Sequence, residues 1–239
     1  MASILVPRRE RDNCLITIAC RRTSTIATRL PQPLMRSVMA LSYMSKIAKE
    51  IDGVVKEGLS TLLKQNGFKK IARNFYRIHD NRIDVINVQA SQWNHGEEGK
   101  FTINVGVFYP SIAEITDAPP VKGMPKEYDC TIRERIGSLT EENKDKWWLV
   151  DSNTDKSATA SDVASKVETL CLPWLEKMSR LDAVKTGVSK NWPLVAAGIA
   201  LFQDRKSEAK AFLEQSLKQQ PMAKSRAGAW GKKHGLLSP

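Results

Sequence analysis

With 239 residues, 41% of them hydrophobic and 26% charged, the chain has a globular composition that excludes wholesale disorder. That length favours one core with appendages, and the longest apolar run, Pro193 to Phe202, is half the roughly 20 residues of a membrane-spanning helix. The formal charge of +11 suggests nucleic acid, yet residues 83 to 189 carry 12 bases against 17 acids, so the excess lies on the flanks and not on the centre.

The first 43 residues carry seven Arg against two acids and show no sustained period of 2 or 3.6. An organelle-targeting peptide, an export signal and an upstream extension ahead of the physiological start all fit such a segment. The apolar stretch Cys14 to Cys20 is short for an export signal and runs directly into Arg21 and Arg22. Met39 and Met44 precede the first well-formed helical pattern. The favoured reading is a start at Met44, with residues 1–43 a disordered basic extension.

From Ser45 the apolar positions Ile47, Ile51, Val54, Val55, Leu59, Leu62 and Leu63 form one helical stripe, and Asn66-Gly67 supplies a C-cap. Strand patterns follow at Phe68 to Ala72, Asn74 to His79, Ile83 to Trp93 and Lys100 to Tyr109. The short turn-rich gaps between them predict an antiparallel meander that Pro110 ends. Ala118 to Pro125 reads as loop, and Tyr128 to Ile136 and Trp147 to Val150 as further strands. Beyond Asp151 the pattern is helical, with Ser161 as N-cap and Pro173 as an interruption.

Asn191 to Phe202 and Ser207 to Gln219 read as a helical hairpin resembling one tetratricopeptide unit, with Ala197 and Ala200 facing Ala209, Phe212 and Leu213. One such unit cannot bury its own face, so it is expected to dock on the sheet domain. The fold class is therefore α+β, an N-terminal helix on a mainly antiparallel sheet followed by the hairpin. The expected divisions are an α+β domain over 44–180 and a hairpin with basic tail over 190–239.

The stretch "LKQNGFKKIARNFYRIHDNRIDVINVQASQW", then "KFTINVGVFYP", "RERIGSL" and "WW", resembles the bacterial family known as domain of unknown function 4304, from about Met44 to Trp174. The markers are the Gly67-Phe68 entry into a strand, the Asn87-Val88-Gln89 and Thr102 to Gly106 strands, and the Arg133 to Gly137 run. The resemblance implies a small α+β domain and no assigned activity.

Strand alternation supplies the candidate site. One face of Ile83 to Trp93 carries Asn87, Gln89, Ser91 and Trp93, and one face of Phe101 to Tyr109 carries Thr102, Asn104, Gly106 and Phe108. Pairing these strands would gather Asn87, Gln89, Trp93, Thr102 and Asn104, and Arg133 and Arg135 would join them if their strand lies adjacent. Amides and guanidinium forks suit a bound peptide, anion or nucleotide. A merely solvated sheet face, or an amide network under the C-terminal helices, explains the same pattern.

A second candidate is the basic segment 64 to 82, where Lys69, Lys70, Arg73 and Arg77 interleave with Phe68, Phe75 and Tyr76 as in a nucleic-acid surface. Its bland counterpart is an edge strand protected by charge. No catalytic constellation, phosphate loop or metal-ligand spacing occurs, so neither cofactor nor metal is expected. Cys14, Cys20, Cys130 and Cys171 read as free thiols of a cytoplasmic protein. The leading expectation is a non-catalytic module that engages a protein partner, in an adaptor or immunity-like role and away from membranes. Nucleic-acid binding and a small-molecule enzyme built on the polar face are the alternatives.

Overall fold

The apolar stripe read from Ser45 onward lies on helix α1 (Gln32–Gln65), which starts upstream of Ser45. The computed structural model describes residues 32–95, 97–219 and 224–238, with side chains from Lys46 onward. The expectation of disorder for residues 1–43 falls mostly outside these, as do Cys14 and Cys20. Ile47, Ile51, Val54, Val55, Leu59 and Leu63 are all buried. Each such side chain contributes roughly 1.5–3 kcal/mol relative to exposure. The helix stops at Gly67, whose φ of 81° is the left-handed conformation that a glycine adopts without strain. Gly67 N–H donates to Lys64 O at 3.1 Å and Phe68 N–H to Leu63 O at 2.9 Å, satisfying two terminal carbonyls.

Four strands then run as an antiparallel meander: β1 (Lys69–Ile71), β2 (Asn74–Ile78), β3 (Ile83–Ala90) and β4 (Gly99–Phe108). Two short strands share the far edge of β4. β5 (Ile132–Arg135) pairs with Asn104 to Val107, and β6 (Trp148–Val150) with Gly99 to Phe101, completing a six-stranded sheet. Phe75, Ile86, Val88, Phe101, Ile103, Val105 and Val107 form the core-facing layer. Over it lie α1, α3 (Lys156–Lys166), a π turn (Val167–Cys171) and α4 (Leu172–Lys177). A Cβ on Gly58 would stand 2.4 Å from Ala160 O, so glycine permits the close approach of α1 and α3.

Two local expectations differ from what forms, and a third is met with an addition. The N-cap of α3 is Asp155, whose Oδ1 accepts from Ala158 N at 3.0 Å, and Ser161 lies inside the helix. Pro173 does not end the helical run: a π turn precedes it and leaves it in the first turn of α4, where its missing N–H costs little. Pro110 ends the meander as expected, but it also opens α2 (Pro110–Ile115).

The remaining helices are α5 (Leu181–Ser189), α6 (Pro193–Phe202), α7 (Lys206–Gln219) and α8 (Lys224–Lys233). Ala197, Ala200, Ala209 and Leu213 pack in one small cluster with Ala227 and Trp230, while Ala196 and Ile199 of α6 belong to the main core. The basic tail is thus partly structural. Trp230 Nε1 donates to Ile115 O at 2.6 Å, and Arg226 donates to Thr116 O and Asp117 O at 3.3 and 3.1 Å. These donors satisfy the carbonyl end of α2.

Candidate functional site

Period-two alternation and the strand register place Asn74, Asn87 and Asn104 side by side across β2, β3 and β4, on the face away from the main core. Their amides are bonded in a row. Asn87 Nδ2 donates to Asn74 Oδ1 at 2.9 Å, and Asn104 Nδ2 donates to Asn87 Oδ1 at 3.0 Å and to Gln89 Oε1 at 2.8 Å. Such a chain of neutral hydrogen bonds polarises its members and holds each rotamer in place.

Beside this row stands β5, with Arg135 in register with Asn104 and Arg133 with Gly106. Arg135 Nη1 donates to both carboxylate oxygens of Asp145 at 3.1 and 3.0 Å and lies 5.3 Å over the Trp147 ring. Arg133 is exposed and, among the described residues, forms no ion pair. Gln89, Asn104, Arg133, Glu134, Arg135, Ser138 and Asp145 line a polar cleft of about 390 Å³.

The two carboxyls of the cleft are pushed apart. Burial holds Glu134 above the usual carboxylate range, against a hydrogen bond with Ser138. Partial burial acts the same way on Asp145, but hydrogen bonds from Trp147 and Arg135 outweigh it and bring the group below its usual value. Nothing in the spacing pointed to Ser138 or Asp145, which arrive on the connection after β5. Glu134, between two arginines, was the one visible signal.

Three of the expected face residues, Asn87, Thr102 and Trp93, do not line this cleft, and Asn87 is tied to it only through the hydrogen bond from Asn104. Thr102 is fully buried, its hydroxyl donating to Lys146 O at 2.7 Å beneath the segment that leads into β6. Trp93 leaves the face because β3 ends at Ala90. Ser91 N–H closes the ladder to Lys100 O, and Trp93 N–H donates to Ser91 Oγ at 3.2 Å, turning the chain. The Trp93 ring, 76% exposed, lines a separate hollow with Leu149.

The basic segment divides in two. Arg77 stacks 4.9 Å over Phe68 and reaches the buried Asp84 carboxylate at 2.8 Å, which also accepts from Arg82 at 3.1 Å and lies 2.9 Å from His79 Nε2. Arg73 bonds Asp52 at 2.7 Å and Ala48 O at 3.0 Å on α1. Lys69 and Lys70 remain exposed on β1. Half of the nucleic-acid candidate thus holds the fold together.

These features define a small α+β domain with a polar cleft where the two short strands meet the meander. Residues 59–177 match the family described as a domain of unknown function (DUF4304), and the chain belongs to that family. The match contains every residue of the cleft. No curated protein and no solved structure matches the chain. No helix among the described residues is long and apolar enough to cross a membrane.

Proposed function

We propose that this protein is a non-catalytic binding module, of adaptor or immunity-like kind, whose cleft receives a polar segment of a protein partner. The observation that carries the reading is Arg133. It is an exposed guanidinium without an ion pair among the described residues, beside an amide row already locked in geometry. A partner carboxylate there gains a charge-assisted, bidentate contact without the cost of ordering the amides. Two unpaired thiols, Cys130 and Cys171, support a cytoplasmic setting. Parallel captures from the native host with wild type and Arg133→Glu, read by mass spectrometry, test this. A protein retained by wild type and lost from the variant supports the reading, and identical captures count against it.

A small-molecule enzyme is the second reading, favoured by the concavity of the cleft and by the opposed shifts of Glu134 and Asp145. It lacks an evident nucleophile, because Ser138 is hydrogen-bonded to a carboxyl and not to a histidine.

A further inference from the structure

Arg133 lines two cavities. On one side lies the polar cleft, and on the other a pocket of about 240 Å³ between α2, the Tyr128 to Thr131 segment and the start of α6. The second pocket is apolar in its floor, with Ile112, Ala113 and Val195, and its rim carries Tyr128 and Trp192, which are 65% and 62% exposed. Two large aromatics so exposed around one hollow have the character of interface anchor sites, where flat rings bury much area for little lost entropy. The nearest carboxylate of the rim, Asp129, is turned to its own helical turn, accepting from Lys126 N at 2.8 Å. The Cys130 thiol is pushed up by burial and stays neutral. Arg133 is therefore the cation that a ligand in this pocket meets next.

Arg133, Glu134 and Arg135 are consecutive along β5 and all border the polar cleft, so the cleft runs along this strand. β5 pairs only with β4 among the described strands. The track along it suits an extended chain, whose alternate residues would meet the amide row and then Arg133.

We infer that the partner segment is an extended peptide bearing an acidic residue against Arg133 and, within a residue or two, an apolar side chain seated between Tyr128 and Trp192. This rests on the binding-module reading and specifies what is bound. The charge of Arg133 selects the carboxylate, and the aromatic pocket selects the apolar neighbour.

Panning a random dodecapeptide phage library on the full chain tests it, followed by titration of the enriched sequence as a synthetic peptide. The expected result is enrichment of Asp or Glu next to Leu, Ile, Phe or Trp. Affinity should then fall about tenfold or more in both Arg133→Glu and Trp192→Ala, with Lys69→Glu unchanged. Both altered residues are exposed, so unchanged melting temperatures would confirm intact folding. Peptides weakened by Arg133→Glu but indifferent to Trp192→Ala overturn the acidic–apolar assignment and leave the binding-module reading standing. Peptides indifferent to both overturn the two together, and selection without acidic–apolar pairing, or no selection at all, overturns the assignment.

Discussion

Asn104 and Asn87 face each other in register across β4 and β3, and Asn104 Nδ2 donates to Asn87 Oδ1 at 3.0 Å while also serving Gln89 Oε1 at 2.8 Å. One buried amide therefore supports two acceptors at the base of the cleft. Asn104→Ala should lower stability by about 1–3 kcal/mol, since both half-buried acceptors lose their donor. Urea denaturation of the variant measures this. A loss near zero would mean that the row is solvated and does not hold the cleft.

Asp84 is a carboxylate with no exposed surface, held by Arg77, Arg82 and His79. Asp84→Ala strands two guanidinium groups at the end of the core and should cost about 3–5 kcal/mol. Arg77→Met should cost less, because the carboxylate keeps Arg82 and the methionine still covers Phe68. Equal losses for the two variants, read from denaturant midpoints, would contradict this ranking.

The Tyr109 hydroxyl lies 2.8 Å from Met178 O and 3.0 Å from Ser179 O, and burial raises its pKa to about 12. Below the ordinary tyrosine value near 10 the phenol is neutral in both states and stability is unaffected. As pH rises from there to about 12, the unfolded chain ionises first, so stability falls across that window. Tyr109→Phe should lose about 1 kcal/mol at neutral pH and show a flatter alkaline limb. Thermal melts between neutral and alkaline pH compare the two.

Carboxylates with lowered values act at the other end of the scale. Hydrogen bonds from Lys185 and Arg205 lower Asp182, and one from Lys233 lowers Asp117. Their contribution is complete above the unfolded carboxylate range and is lost as pH falls through the lowered folded values. Asp182→Asn should therefore be less sensitive to acid than wild type, a difference visible in melts taken at decreasing pH.

A reversal of Lys69, Lys70, Arg73 and Arg77 together would disturb the fold as well as the surface, since Arg77 pairs with the buried Asp84 and Arg73 ties its turn to α1 through Asp52 and Ala48 O. The clean variant is Lys69→Glu with Lys70→Glu, whose side chains are exposed on β1. Its retention of a single-stranded RNA in a salt titration should equal that of wild type. A salt-dependent loss confined to the variant would favour the nucleic-acid reading.

The meander and its polar face were legible because alternation, turn residues and Pro110 all agree there, so that Asn87, Gln89 and Asn104 could be grouped from spacing, whereas Arg133 and Arg135 join them only through the pairing of β5 with β4. Trp93 was misplaced for a related reason, since alternation carries no information about where a Ser hydroxyl turns the chain. The pairing of Arg73 and Arg77 was invisible because it depends on Asp52 and Asp84, which lie on other elements. Asp84 did leave a trace, as a carboxylate on an otherwise apolar strand face. Ser138, Asp145, Tyr128 and Trp192 come to the cavities from loops and from the start of α6, where no period exists to reveal a shared neighbourhood.

The most direct measurement is calorimetric titration of the captured partner against wild type, Arg133→Glu and Lys69→Glu/Lys70→Glu. Binding through the cleft requires the affinity to fall about tenfold or more in Arg133→Glu alone. Equal affinity for wild type and Arg133→Glu would contradict it.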